Sequence, residues 1–166
     1  MVDENLQTGR VFQINISPGG VPKLPVRQAS LNTLGLAGDD HRSKHVHGGP
    51  ERALCLYSVE RIQALQAEGH PVFAGAMGEN LTLSGLDWER VTPGMQMQIG
   101  KVVLIEITRH TTPCANLIDC FVGGRIDRVL EERNPGWSRV YARVLQEGEI
   151  WVGDPVTLRP AAGSVP

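Results

Sequence analysis

Gly94-Met95-Gln96-Met97-Gln98-Ile99-Gly100-Lys101-Val102-Val103-Leu104-Ile105-Glu106-Ile107-Thr108 is the stretch on which the fold turns. Met95, Met97 and Ile99 alternate with glutamines, and beyond Gly100 the apolar run Val102 to Ile105 passes into a second alternation. Period-two patterning on both sides of a glycine predicts a β-hairpin, with Gly94–Ile99 as one strand and Lys101–Thr108 as the other. The methionines read as core filler and not as metal ligands.

The same pattern recurs in both directions. Arg10–Ile16 alternates and closes at Ser17-Pro18-Gly19-Gly20, and Ala29–Leu36 is a further short strand. Val21–Val26 carries two prolines and belongs at an edge or in a loop. Arg52–Tyr57 has apolar groups on both faces, as in a covered sheet, and places Cys55 in the core. Ser58 is an N-cap for a helix with Val59, Ile62 and Leu65 on one face and a stop at Gly69. Glu79–Leu83, Arg139–Leu145, Glu149–Val152 and Val156–Leu158 read as strands, and Gly124–Arg133 as a short amphipathic helix. Trp88, Trp137 and Trp151 read as packing residues. About eight or more short strands with two or three short helices make a mainly β, closed fold.

The 166 residues suit one domain, 1–160, with a flexible tail at 161–166. Nineteen glycines and 11 prolines supply the turns that short strands need. A net charge of -2 provides no electrostatic footprint for nucleic acid or an anionic membrane. Asp3 and Glu4 stand where a signal peptide would carry basic residues, and no apolar stretch approaches membrane-spanning length, so the expected location is cytoplasmic. Cys55, Cys114 and Cys120 are odd in number and far from any Cys-x-x-Cys pairing, so reduced thiols are expected.

Three stretches carry chemistry. Thr108–Leu117 follows the second hairpin strand, and Pro113 forces a turn before the apolar run Ala115–Val122 that Gly123-Gly124 ends. Cys114 therefore stands at a strand-to-helix corner; were Ala115–Phe121 helical, its N–H groups would favour the thiolate. The alternative is a small buried apolar residue, the ordinary place of a free cysteine. The second stretch is the loop Gly38–Pro50, with His41, His45 and His47 beside Asp39 and Asp40. A zinc site is one reading, although the spacing matches no standard pattern; Gly48-Gly49 otherwise lets the backbone approach a ligand closely. Glu79-Asn80, after a glycine, offers a carboxylate and an amide either to a ligand or to a turn.

Gly38-Asp39, Val46-His47-Gly48-Gly49-Pro50, Arg52–Tyr57, Gly78-Glu79-Asn80-Leu81-Thr82 with Gly85-Leu86, and Pro113-Cys114 after a strand occur in one order. In that order they resemble the MOSC domain, named for the molybdenum-cofactor sulfurase C-terminal domain, and most of all its small stand-alone bacterial members, over about Val11 to Pro160. The resemblance implies a mostly antiparallel β-barrel with one cysteine that either carries sulfane sulfur or ligates molybdenum. Relatives among the amidoxime-reducing enzymes hold a pyranopterin molybdenum cofactor and reduce N-hydroxylated substrates. On this resemblance Cys114 is the family cysteine and metal ligand, Asn80 the asparagine near the pterin and Lys23 the N-terminal lysine. Asp39, His47 and Glu79 are then the motif's polar groups. Lys23, Arg42, Lys44 and Arg109 are available donors to the pterin phosphate.

The chain also departs from the pattern. Pro113 stands where some molybdenum-binding relatives have arginine, and no iron–sulfur or flavin motif is visible, so a reductase would draw electrons from a separate donor protein. Larger members add an N-terminal β-domain or a C-terminal extension that this sequence lacks, which implies a substrate pocket that is either incomplete or finished by a partner. The expectations are thus a cofactor-dependent oxidoreductase acting on a small-molecule substrate, or a sulfur carrier with a Cys114 persulfide supplied by a cysteine desulfurase. A zinc hydrolase built on the three histidines is the third.

Overall fold

The structure is a computed structural model that describes residues 6–40 and 48–161. His41, Arg42, Lys44, His45 and His47, and all of the tail but Ala161, lie outside the described residues.

Eleven strands are described: β1 (Gln7–Ile16), β2 (Leu24–Val26), β3 (Gln28–Asn32), β4 (Gly35–Leu36), β5 (Leu54–Ser58), β6 (Leu81–Ser84), β7 (Gln96–Ile99), β8 (Val103–His110), β9 (Val140–Gln146), β10 (Gly148–Trp151) and β11 (Pro155–Arg159). Seven of them close a barrel in the order β1, β6, β5, β9, β8, β7, β11 and back to β1. The hairpin expected from Gly94–Thr108 is β7–β8, with Ile99 opposite Val103. Every barrel pairing is antiparallel except β5–β6. That one parallel step requires a crossover, which α1 (Val59–Ala67) supplies. Ser58 caps α1 by accepting from Arg61 N, and Val59, Ile62 and Leu65 are buried along its inner face.

Closure depends on β1. Its first half, Gln7–Arg10, pairs β11, and Arg10–Ile14 pairs β6 across a register shift between Val11 and Gln13. The shift leaves Phe12 exposed and bends the strand, so that Ile14–Ile16 can also take β2 as an appended edge. The interior is filled by Ile14, Leu54, Leu56, Leu81, Met97, Ile99 and Ile105, all essentially without solvent contact. A separate three-stranded sheet, β10-β3-β4, packs Ala29, Leu31 and Ile150 into the same core.

Several expectations are corrected. Ala29–Leu36 is two strands, β3 and β4, folded about Thr33-Leu34. Ala115–Val122 and Gly124–Arg133 are 3-10 turns over Ala115–Cys120, Val122–Gly124 and Ile126–Val129, leaving α1 as the α-helix among the described residues. Gly123 and Gly124, at φ 68° and 67°, interrupt the i→i+4 ladder before it can propagate. Trp88 is buried and Trp137 packs against the core, but Trp151 is half exposed.

Gly9 is where β1 is squeezed between its two neighbours. A Cβ there would lie 2.2 Å from Ser84 O and 3.0 Å from Leu86 Cγ. Gly9→Ala is expected to destabilise the barrel by about 1–3 kcal/mol through overpacking. Thermal denaturation followed by circular dichroism should show a midpoint several degrees lower, and an unchanged midpoint would refute this account of closure.

Candidate functional site

β8 and β9 run antiparallel with His110 opposite Val140, and one more bond, Thr111 N to Arg139 O at 3.0 Å, continues the ladder past the end of β8. Thr112-Pro113 then leaves the sheet. Cys114 follows in an extended conformation (φ -123°, ψ 173°), and its carbonyl accepts from Leu117 N at 3.0 Å. Leu117 is buried, which anchors the 3-10 turn from below and leaves the Cys114 side chain at the wall of a cavity. The turn is too short to provide the helix dipole that an α-helix over Ala115–Phe121 would have turned on this thiol.

Cys114 is the partly exposed cysteine of the three; Cys55 and Cys120 are buried. The cavity's polar wall comprises Lys23, Asp40, Cys55, Thr112, Asn116 and Arg139, and Val21, Met77 and Leu117 supply apolar surface. Tyr141 completes it, with Arg52 and the exposed Arg109 standing over its ring at 5.6 and 5.9 Å. Cys55 reaches this cavity although its burial is that of a core residue. Burial pushes its thiol up to about 11 against the opposing pull of Arg139, so it stays protonated near neutrality.

Behind the wall lies a buried polar lattice. Lys23 Nζ donates to both oxygens of Asp39, at 2.6 and 2.7 Å, and the pair is almost wholly buried. Asp39 also accepts from Ser17 N at 2.9 Å and from Asn80 Nδ2 at 2.8 Å. Asn80 Oδ1 in turn accepts from Cys55 N at 3.0 Å, which ties the segment before β6 to β5. Asn15 Nδ2 donates to Glu79 O and to Thr82 Oγ1, both at 3.1 Å. Asn80 and Glu79 therefore face protein groups and stand outside the cavity lining, whereas Lys23 belongs to both the lattice and the lining. His47 and the other loop histidines lie outside the described residues. Among the described residues no cluster of three or more His, Cys, Asp or Glu could hold a metal ion.

Arg139 and Tyr141 were not singled out from the sequence, and Thr112 and Asn116 entered only as members of the stretch Thr108–Leu117. The available signal was positional: an arginine heading the strand that pairs with the strand leading to Cys114.

Glu79 is fully buried; its Oε1 accepts from Gly75 N, and Oε2 meets no hydrogen-bond donor among the described residues. Burial raises its pKa from 4.5 to about 7, with the Gly75 N–H opposing. The folded state thus binds the proton more tightly than the unfolded chain. Its full stability is present below about pH 4.5, and the cost of an ionised buried carboxylate grows as pH rises through 7. Glu79→Gln removes this titration. Urea unfolding across pH 4 to 8 should show wild type losing roughly 3 kcal/mol relative to the variant as pH rises, and parallel curves would sink the assignment.

Comparison with known proteins agrees with this architecture. The MOSC domain family model matches residues 43–157. YflK of Bacillus subtilis is 32% identical over 136 residues, 81% of this chain and 60% of that protein. YiiM of Escherichia coli is 31% identical over 147 residues, covering 85% of this chain and 64% of that protein, and its crystal structure superposes with a TM-score of 0.69 over 94% of this chain and 72% of that one. A protein of Gibberella moniliformis described as a reductase is 34% identical over 132 residues, 76% of this chain but 23% of its own length. The chain thus spans less than two thirds of each of these curated relatives. With the family model covering most of its length and a closed barrel bearing a cysteine at the cavity wall, the chain belongs to the MOSC domain family.

Proposed function

We propose that the chain binds a pyranopterin molybdenum cofactor through Cys114 and supports the reduction of N-hydroxylated or similar small substrates. The observation that carries this reading is the setting of Cys114, a partly exposed thiol lining a cavity that also holds cationic and amide side chains. A molybdenum–dithiolene group brings most of its own ligands and asks the protein for one soft donor, which a cysteine sulfur supplies. The residues present fit that requirement at the sulfur. They fit the pterin less directly, because Asn80 and Glu79 are engaged within the protein lattice.

When bound, such a group would supply two-electron oxygen-atom transfer. Cys114 would hold the metal, and Lys23, its charge matched by Asp39, would donate its remaining N–H to the cofactor from the wall, with Arg109 above the Tyr141 ring. Thr112 and Asn116 would orient a polar N–O group by hydrogen bonding, while Val21, Met77 and Leu117 exclude water around the substrate's apolar body. Electrons would come from a separate donor protein. Asp39, by neutralising Lys23, would keep this lining from becoming a generic anion trap.

A second reading, sulfur carriage as a Cys114 persulfide charged by a cysteine desulfurase, is favoured by one observation. The cavity brings a second thiol, Cys55, to the same space as Cys114.

Molybdenum and pterin content, measured on protein purified from cofactor-competent cells, separates the two. Wild type should carry both, and Cys114→Ser should lose more than about tenfold of each. A metal-free wild type with an adduct of roughly thirty-two daltons that Cys114→Ser abolishes would replace the first reading with the second.

A further inference from the structure

Arg139 is an unusual buried cation. It is 7% exposed and lines the Cys114 cavity, yet no carboxylate lies within salt-bridge distance of it among the described residues. The one oxygen acceptor its guanidinium meets there is Met77 O, which takes Nη1 at 2.7 Å. Nε is buried without a partner, and no protein oxygen among the described residues meets Nη2.

The other charged groups of the cavity do not relieve it. Lys23 is already matched by Asp39. The Cys55 thiol hydrogen-bonds the guanidinium but is held neutral by burial, so it supplies no counter-charge. Native proteins seldom leave a buried donor of this strength unfilled, and a cation so placed is retained where a ligand completes it.

We propose that Arg139 is the anion-recognition residue of the Cys114 cavity, its guanidinium taking a small oxyanion of the bound ligand in the space that both residues line. The recognised group is a carboxylate borne by a substrate or a phosphate borne by a cofactor. The inference rests on the reading that this cavity is the working site, and it adds the charge class of what enters.

The test uses metal-free protein, with the cysteine as reporter. Cys114 is alkylated with iodoacetate and, separately, with neutral iodoacetamide, and modification is followed by mass spectrometry. The iodoacetate-to-iodoacetamide rate ratio should exceed that of free cysteine by about tenfold, the worth of one charge-assisted contact. Arg139→Gln should bring the ratio back to the free-thiol value, and Arg139→Lys should keep part of the excess. A ratio that is the same in wild type and Arg139→Gln overturns the proposal. Using the ratio cancels any change in Cys114 ionisation, which a merely structural role would alter for both reagents alike. Propionate and methyl phosphate are then added as competitors: protection by propionate assigns a carboxylate, protection by methyl phosphate a phosphate, and protection by neither overturns the idea. The competition arm needs wild type alone, so it decides even if Arg139→Gln does not fold. Molybdenum content plays no part in the readout, so cofactor binding through Cys114 and anion recognition by Arg139 can each fail without the other.

Discussion

A single carboxylate, that of Asp39, organises the ground on which the cavity stands. It accepts two bonds from Lys23, one from the Ser17 backbone and one from Asn80, so all of its strong acceptor sites are used while it is shielded from water. Burying an ion pair is costly unless the remaining lone pairs are filled, and here they are. The result is a rigid joint between the end of β1, the Lys23 segment, the turn before β6 and, through Asn80, the backbone of β5. Removing one partner would strand the others, at a cost of about 3–5 kcal/mol.

That joint explains how one wall can hold cations and thiols without collapsing onto them. Lys23 is neutralised from behind, Cys55 is fixed by its backbone bond to Asn80, and Arg139 is held by Met77 O. The three cysteines divide accordingly. Cys120 is a buried group whose Sγ lies 3.6 Å from Ala76 O, Cys55 is a protonated thiol at the inner wall, and Cys114 stands partly open at the end of β8. Differences in solvent contact, not in local sequence, separate their chemistry.

Much of the scaffold was legible beforehand because its signals are local. The β7–β8 hairpin follows from alternation around Gly100, and α1 from the Ser58 cap and the spacing of Val59, Ile62 and Leu65. The segment after Cys114 was misread because apolar spacing cannot distinguish an α-helix from successive 3-10 turns when left-handed glycines divide the run. The site was legible in the same uneven way. Cys114 stood out as a strand-end cysteine after proline, but the inward orientation of Asn80 depends on hydrogen bonds to residues far along the chain, Cys55 and Asp39.

By itself the sequence determined that the chain is a mainly β protein built from short strands, that its ordered glycine-flanked motifs are those of a MOSC domain, and that Cys114 is the thiol to watch. Only the tertiary structure decided which side chains share its cavity. Closure of the barrel carries Tyr141 from β9, Arg139 from the residue before it, Cys55 from β5 and Lys23 from the residue before β2 to one place. The physical reason is that strand patterning reports which face of a sheet a residue takes, whereas strand order and register set which residues from distant segments meet, and these are settled by long-range pairing.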